Sequence, residues 1–288
     1  MFKPDQYALL DFGDARKLEQ WGPYRLDRGA PVVVGEAPRK SPWKADARHR
    51  RTDGERGQWT PPQALPSHWN ITAEAPAGRL TFELKPTPFG HVGLFPEHAQ
   101  FWPWLHAQIQ SSSKTSVQPP KVLNLFAYTG AASLAMALSG AAVTHIDAAK
   151  NVVAWARRNA ELSGLAEAPI RWIAEDATKF VQREEKRGNA YQGVLLDPPS
   201  FGHGPQGERW QLESQLPELL AGSGRLLTGD HAFFLATCHT PGFTPQNLAQ
   251  LVHRYTPHRG AAISAQPLVI ACRDGRRLDC GAAVWWSR

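Results

Sequence analysis

The sequence predicts an α/β protein in which a parallel sheet follows a small β-rich N-terminal region. From Lys121 onward, short apolar segments alternate with helical segments, as in a parallel sheet covered by helices on both faces. The last two apolar segments are joined by the turn Arg273-Asp274-Gly275, which predicts a closing antiparallel hairpin. Before residue 121 the chain holds 15 of its 24 prolines, and proline interrupts helices and central strands.

The N-terminal region is therefore expected to form loops and short strands. Residues 36–68 are rich in proline, glycine and charge, and predict an extended loop. Pro96 suits the first turn of a helix that continues to about residue 110, and a polar linker at residues 111–120 follows it. We expect residues 1–88 to form an accessory region and residues 89–288 the larger domain. The predicted strands of the accessory region lie at residues 7–11, 31–35 and 79–85.

The larger domain is predicted from the alternation of two periodicities. Apolar, β-branched runs predict five strands, at residues 121–126, 142–146, 170–174, 192–197 and 232–238. The segments between and after them predict helices at residues 131–139, 149–163, 177–186, 212–227 and 245–255. The two closing strands are predicted at residues 261–272 and 279–286.

Composition limits the class of protein. No apolar run approaches the roughly 18 residues that cross a bilayer, and no secretory signal is visible at the first residues, so we expect a cytoplasmic protein without a membrane partner. The three cysteines, Cys238, Cys272 and Cys280, stand apart, which argues against a disulfide scaffold or a zinc ribbon.

The net charge of +6 permits an anionic partner without requiring one. Locally, residues 39–56 are densely basic, and Trp43 and Trp59 flank them. Basic residues with aromatic neighbours are typical of nucleic-acid binding, because cations bind phosphates and rings stack on bases. A solvated loop is the alternative interpretation of this run.

Three turns follow consecutive strands at the edge where open α/β sheets bind ligands. Asn124-Leu-Phe-Ala-Tyr-Thr-Gly130 follows the first strand, and its glycine permits close approach of the backbone to a cofactor. Asp147 ends the second strand, where a carboxylate can accept hydrogen bonds from both hydroxyls of a ribose. Asp176 follows the third strand, where it can accept from an adenine amino group. Both acids could instead cap the next helix.

The fourth turn, Asp197-Pro-Pro-Ser-Phe201, is the most specific motif of the chain. Its two prolines fix the backbone and leave the turn without amide donors, so a rigid row of acceptors remains. Such a row beside an aromatic ring suits a planar base that carries an amino group.

These four turns and the closing hairpin together resemble the class I S-adenosylmethionine-dependent methyltransferases. Phe126-Ala-Tyr-Thr-Gly130 with Asp197-Pro-Pro-Ser-Phe201 resembles the bacterial large-subunit ribosomal RNA methyltransferases of the cytosine-C5 type and their guanine-methylating relatives. The resemblance covers residues 80–288 and includes Phe89-Gly-His-Val-Gly-Leu-Phe-Pro-Glu-His98. It implies a Rossmann-like seven-stranded sheet, S-adenosylmethionine as cofactor and RNA, in particular ribosomal RNA, as partner. The family's PUA RNA-binding domain is not recognisable in residues 1–85.

The resemblance also implies site residues. The cofactor would lie against Phe126, Ala127, Tyr128, Thr129, Gly130, Asp147, Ala148, Asp176, Ala177, Asp197 and Pro198. The substrate would lie against Pro199, Ser200, Phe201, Phe95, Glu97 and His98. Asp197 is the expected catalytic residue, and Cys238 would be a nucleophile if the acceptor is cytosine C5. No metal is expected.

Three alternatives stay open at this point. The acceptor could be a small molecule or a protein, or the chain could be an RNA-binding module without activity. A nicotinamide dehydrogenase fits less well, because the first turn has one glycine instead of three.

Overall fold

The computed structural model describes residues 1–53, 56–113, 117–204 and 206–288, so part of the predicted linker, residues 114–116, lies outside it. The chain divides into two compact units. The first comprises Met1–Gln100 and Val269–Cys280, and the second comprises Phe101–Leu268 and Gly281–Arg288. Composition predicts a boundary at residue 88; the two compact units divide at residue 100, and the turn of the closing hairpin belongs to the first unit.

The first unit contains a five-stranded sheet in which the strands follow one another in chain order. β3 pairs with β4 in parallel, and the other neighbours are antiparallel. A separate antiparallel hairpin contains β6 and β7. The strands are β1 (Tyr7–Gly13), β2 (Arg16–Trp21), β3 (Tyr24–Gly29), β4 (Ala47–Asp53), β5 (Arg56–Thr60), β6 (Trp69–Ala75) and β7 (Gly78–Leu84).

Two expectations for the first unit are wrong. Residues 31–33 form a 3₁₀ helix instead of a strand, because Pro31 lacks the N–H that a sheet ladder needs and suits a first helical turn. The predicted loop at residues 36–68 contains β4 and β5. Buried and more exposed positions alternate over residues 47–50 at the start of β4, with Ala47 and His49 buried, but most residues of the strand are polar, so hydropathy does not reveal it.

The second unit has the predicted parallel sheet. The seven strands are ordered β10-β9-β8-β11-β14-β16-β15, which confirms the fold class, and β16 is antiparallel to β14. The strands are β8 (Lys121–Leu125), β9 (Ala142–Asp147), β10 (Ile170–Ala174), β11 (Gly193–Leu196), β14 (Phe233–Cys238), β15 (Ser264–Ala271) and β16 (Arg277–Ser287). A small hairpin that the sequence did not predict contains β12 (Phe201–His203) and β13 (Arg209–Gln211).

Helices lie between these strands, close to their predicted positions. A 3₁₀ helix at Pro96–Phe101 leads into the first of them. The helices are α1 (Trp102–Ser113), α2 (Ala131–Leu138), α3 (Lys150–Leu162), α4 (Ala177–Lys186), α5 (Leu212–Arg225) and α6 (Pro245–Tyr255). No helix in the described part of the chain is both long and apolar enough to cross a membrane.

The strand register aligns the carboxyl ends of the parallel strands. Leu125 of β8 pairs with Ile146 of β9, and Leu196 of β11 pairs with both Leu125 and Ala236. Ala174 of β10 pairs with Asp147. The turns after these strands therefore meet at one edge of the sheet, which is where the site residues of the second unit lie.

Candidate functional site

The turn between β8 and α2 has an unusual backbone. Phe126, Tyr128 and Gly130 all have left-handed conformations, with φ of 54°, 50° and 89°. Left-handed conformations are uncommon for residues other than glycine, and such strain is concentrated at functional sites. At Gly130 a Cβ would lie 3.1 Å from the Ala156 Cβ, so glycine also lets α3 approach the turn closely.

The Asp147 carboxylate holds this turn in place. Its Oδ2 accepts a 2.9 Å hydrogen bond from the Tyr128 N–H, and its Oδ1 accepts one of 3.0 Å from the Ala149 N–H. Burial raises the pKa of Asp147, although both N–H donors favour the charged form. Each oxygen accepts one backbone hydrogen bond, and a carboxylate oxygen has two acceptor sites, so Asp147 can also bind ligand hydroxyls.

A buried polar network lies beside the turn. Asn124 Nδ2 donates to Ser133 Oγ at 2.9 Å, and the same oxygen lies 3.0 Å from His145 Nδ1. Burial lowers the pKa of His145 to about 3, with a contribution from the positive charge of Arg157, so the imidazole is neutral in the folded protein. Asn159 donates to the Thr129 carbonyl at 2.9 Å, which ties α3 to the turn.

The helices that follow the strands begin in different ways. Asp176 is the N-cap of α4 and accepts a 2.9 Å hydrogen bond from the Lys179 N–H, so the capping role is realised. In contrast, α2 follows Gly130 and has no side-chain cap. The first N–H groups of α2 therefore point at the turn without a side-chain partner, which suits a carboxylate ligand.

Asp197 is oriented by residues at the end of the neighbouring strand β14. Thr237 Oγ1 donates a 2.6 Å hydrogen bond to Asp197 Oδ1, and His239 Nε2 lies 3.5 Å from the same oxygen. Ser200 Oγ and Thr240 Oγ1 are 2.7 Å apart, which forms a second link between the two segments. The Asp-Pro-Pro turn is therefore held to the end of β14 by side chains as well as by the sheet.

The expected row of carbonyl acceptors is partly used by the protein itself. Trp210 Nε1 donates a 2.6 Å hydrogen bond to the Pro199 carbonyl, and its ring lies 5.1 Å from the Phe126 ring. The β12–β13 hairpin, on which Phe201 and Trp210 lie, brings these groups together. Phe201 itself is 68% exposed, so its ring is available at the surface.

Cys238 is fully buried, at 0% exposure, in the apolar core beside residues such as Leu248 and Ala236. Burial raises the pKa of its thiol. A nucleophilic cysteine needs the opposite environment, one that is accessible and stabilises the thiolate.

The structure brings most of the predicted site residues together. The residues that lie at or just after the carboxyl ends of adjacent strands are Phe126 to Gly130, Asp147, Ala148, Asp176, Ala177 and Asp197 to Ser200. Phe95, Glu97 and His98 belong to the first unit, where the Phe95 and His98 rings stack 6.0 Å apart. The contacts of all these residues with a ligand stay predictions.

Sequence reasoning missed Thr237 and Trp210. Thr237 is a polar residue in an otherwise apolar strand, and Trp210 is a buried aromatic in a glycine-rich segment, so each carried a weak signal. The sequence does not identify their hydrogen-bond partners, because Asp197 lies 40 residues from Thr237 and Pro199 lies 11 residues from Trp210.

Known proteins provide an independent comparison. Residues 67–257 match the model of a family described as S-adenosylmethionine-dependent methyltransferase. A solved S-adenosylmethionine-dependent methyltransferase from Agrobacterium tumefaciens is 37% identical, covers 98% of this chain and 90% of its own, and superposes with a TM-score of 0.87.

Curated relatives match over shorter stretches. The ribosomal RNA large subunit methyltransferase K/L of Magnetococcus marinus is 30% identical over 161 residues, or 55% of this chain and 21% of the relative. Its counterpart in Shewanella frigidimarina is 36% identical over 109 residues, or 37% of this chain and 15% of the relative. The chain thus spans about a fifth or less of the length of these relatives. The family match covers well over half of the chain and agrees with the sheet order, and on this basis the chain belongs to the S-adenosylmethionine-dependent methyltransferases.

Proposed function

We propose that this methyltransferase acts on RNA and transfers the methyl group to an amino nitrogen of a base. The observation that carries the proposal is the Asp197-Pro198-Pro199 turn, which is locked by Thr237 on one side and by Trp210 on the other. A turn without amide donors offers only acceptors, and an amino group is the part of a base that donates to them. The exposed Phe201 ring beside the turn supports stacking of the base.

The residues present fit S-adenosylmethionine. The uncapped N-terminus of α2 supplies N–H donors for the methionine carboxylate, and the left-handed turn at residues 126–130 curves the backbone around it. The Asp147 carboxylate can accept from the ribose hydroxyls. Asp176 uses one oxygen as a helix cap, which leaves its second oxygen as the acceptor that we assign to the adenine side.

The protein's part in the reaction is alignment and proton removal. When bound, S-adenosylmethionine supplies a methyl group already activated on a sulfonium. The Asp197 carboxylate and the Pro198 carbonyl orient the amino nitrogen so that its lone pair faces that methyl carbon. Methyl transfer from the sulfur to the amino nitrogen would leave that nitrogen positively charged. The Asp197 carboxylate would then take up the surplus proton of the nitrogen.

An amino nitrogen is favoured over cytosine C5 as the acceptor. Methylation of C5 needs a thiolate that adds to the base, and Cys238 is buried with a raised pKa. An amino nitrogen needs no covalent step. The packing of Cys238 therefore supports a structural role for this residue.

RNA is favoured over a small molecule or a protein for two reasons. The relatives from Magnetococcus marinus and Shewanella frigidimarina are named for ribosomal RNA, although they match over only part of their length. The chain also carries a net charge of +6, which favours binding to phosphates. An RNA substrate would place the protein in the cytoplasm.

The experiment is methyl transfer with isotopically labelled S-adenosylmethionine to ribosomal RNA from cells that lack this protein. We expect label in the RNA, and nucleoside mass spectrometry to find it on an N-methylated base. Calorimetry measures in parallel whether the protein binds S-adenosylmethionine. Cofactor binding without transfer to RNA from either ribosomal subunit would contradict the RNA substrate, and label on C5 of cytosine would contradict the amino acceptor.

A further inference from the structure

The first unit contains a cleft of about 390 Å³, and its lining includes Phe95 and Glu97, which the sequence predicts as substrate contacts. β2, β3 and β4 contribute Arg16, Lys17, Arg28, His49 and Arg51 to its lining. Residues between Phe89 and Glu97 form the opposite part of the wall, and Ala15, Gly29 and Pro31 complete the lining. The cleft thus combines cations from the sheet with aromatic rings from a loop.

Buried carboxylates hold the cations in position. Glu19 is fully buried and binds both Arg28, at 2.6 Å, and Lys17, at 3.2 Å. Against the effect of burial, these two cations lower the pKa of Glu19 to about 2, so it is charged at neutral pH. Glu19 binds two cations that line the cleft and neutralises one of their two charges, so a net positive charge remains there.

Asp27 repeats this arrangement beside Glu19. It is also fully buried, and it binds Arg16 and Arg48, each at 2.5 Å. Arg16 also donates to the Asp27 and His49 backbone carbonyls, at 3.0 and 2.9 Å. These hydrogen bonds fix the orientation of its guanidinium. The four cations outnumber the two buried carboxylates by two, and three of them, Arg16, Lys17 and Arg28, line the cleft.

The loop that carries Phe89 is held firmly, yet the ring is exposed. Arg28 donates to the Gly90 carbonyl at 2.9 Å, the Gly57 N–H donates to the Pro88 carbonyl at 2.7 Å, and Trp59 Nε1 donates to the Thr87 carbonyl at 2.8 Å. Despite these bonds Phe89 is 47% exposed, with the Arg56 guanidinium 5.9 Å from its ring. An apolar ring presented by a fixed loop next to cations is a stacking platform for a base.

Only part of the basic run at residues 39–56 belongs to this cleft. Arg51 lines it, and Arg48 supports it through Asp27. The backbone N–H groups of Arg39 and Lys40 bond to Asp11 instead, as does the Trp43 indole N–H at 2.9 Å. Glu55 and the side chain of Asp53 lie outside the described residues.

We infer that this cleft binds one nucleotide of the RNA, with its phosphate against Lys17 and Arg51 and its base on Phe89. The inference rests on the proposed RNA substrate. The cleft volume of about 390 Å³ lies within the range of small-molecule sites and suits a single nucleotide. Glu97 also lines the cleft, and its carboxylate, which accepts hydrogen bonds only, suits the amino edge of the base.

The test is fluorescence anisotropy with a labelled single-stranded RNA of about 20 nucleotides, long enough to span a typical single-strand site. We expect Arg51→Gln and Lys17→Gln each to weaken binding by roughly five- to tenfold at low salt. The logarithm of the binding constant falls linearly with the logarithm of the salt concentration. Each variant should make this slope less steep by about 0.7, the value for one lost phosphate contact on a single strand. Phe89→Ala should weaken binding by roughly tenfold without changing that slope.

Arg79→Gln is the matched control. Arg79 is an exposed arginine of the same unit, on β7 and outside the cleft lining. Its replacement by glutamine therefore removes the same charge at a position away from the cleft. We expect this variant to bind RNA like the unmodified protein. Equal weakening by Arg79→Gln and Arg51→Gln would overturn the inference, because the effect would then reflect total charge alone.

A second measurement separates this inference from the proposed function. Ultraviolet crosslinking of the same RNA, followed by mass spectrometry, should locate crosslinks in the peptide that contains Phe89. If the unmodified protein methylates RNA but the crosslinks and the cleft variants show no involvement of this surface, the cleft inference fails and the RNA substrate stands. If the protein binds S-adenosylmethionine but no RNA, both proposals fail.

Discussion

Thr237 Oγ1 donates a 2.6 Å hydrogen bond to Asp197 Oδ1, and this bond links the ends of two neighbouring parallel strands. Thr237 is buried, whereas Asp197 is partly exposed at the edge of the sheet. A buried hydroxyl that donates to a carboxylate fixes which way the carboxylate faces. Orientation of Asp197 therefore depends on β14 as much as on its own turn.

Removing this donor should slow the reaction. Thr237→Val keeps the shape of the side chain but loses the hydroxyl, and we expect kcat for methyl transfer to fall roughly tenfold, or about 1.4 kcal/mol. KM for S-adenosylmethionine should change little. Thr237→Ser retains the donor and should recover most of the rate, so an equal loss in both variants would show that the hydroxyl has no such role.

Trp210 should act through the Pro199 carbonyl. Trp210→Phe keeps an aromatic ring near Phe126 but removes the 2.6 Å hydrogen bond, and a less rigid turn should lower kcat by roughly three- to tenfold. Trp104→Phe is the control, since Trp104 packs on Phe233 at the start of β14. Steady-state kinetics of both variants make the comparison, and identical rates for the two would contradict this role.

Gly130 should tolerate substitution less well than other left-handed glycines. Gly164→Ala, where φ is 70° and nothing lies within 4 Å of a new Cβ, should cost about 1 kcal/mol of unfolding free energy. Gly130→Ala adds contact with Ala156 at 3.1 Å and should cost about 2 kcal/mol. It should also weaken S-adenosylmethionine binding in calorimetry, whereas Gly164→Ala should not. Equal losses of stability and binding in the two variants would contradict the close approach.

His145 should make the protein less stable as the pH falls. Its pKa is lowered to about 3 in the folded state by burial and by the charge of Arg157, against about 6.5 when unfolded, so below about pH 6.5 the unfolded chain takes up a proton that the folded protein excludes. Between pH 7.5 and 5.5 this should lower the free energy of unfolding by about 1.4 kcal/mol.

His145→Gln should lose that part of the pH dependence in chemical denaturation. His203→Gln, at an exposed position, is the control and should keep it. Other groups contribute their own slopes, so the decisive quantity is the difference between each variant and the unmodified protein. If His145→Gln and the unmodified protein show the same pH dependence, the pKa of His145 is not lowered by folding.

Cys238 should be dispensable for chemistry. Cys238→Ala removes a buried sulfur from the core and should cost about 1 kcal/mol of stability, with kcat within about threefold of the unmodified enzyme. A thiolate nucleophile would behave differently, since its loss abolishes the covalent step. Methyl-transfer assays at a temperature well below the unfolding midpoint of the variant decide between the two.

Much of the second unit could be predicted from local patterns. The periodicity of β8 to β14 and of the helices between them is a property of short segments, and so is the position of a polar turn after each strand. The parallel arrangement then follows because consecutive strands are separated by helices. These local patterns are enough to place Phe126–Gly130, Asp147, Asp176 and Asp197 at one edge of the sheet.

The first unit was harder to predict. Burial alternates over the first four residues of β4, but the strand has polar residues such as Arg48 and Arg50, so hydropathy alone suggests a loop. The charge of Arg48 is tolerated because Asp27, a buried carboxylate on the neighbouring strand β3, binds it. Local sequence does not identify such partners.

The sequence by itself determined the alternation of parallel strands and helices in the second unit, the four turns at the strand ends and the choice of glycine at position 130, because each depends on neighbours a few residues away. Tertiary structure decided which groups meet. It joined Thr237 to Asp197 and Trp210 to Pro199, placed Cys238 in the core, and gathered Lys17, Arg51 and Phe89 around one cleft. The physical reason is that hydrogen bonds, burial and the resulting pKa shifts depend on strand register and on packing between distant segments.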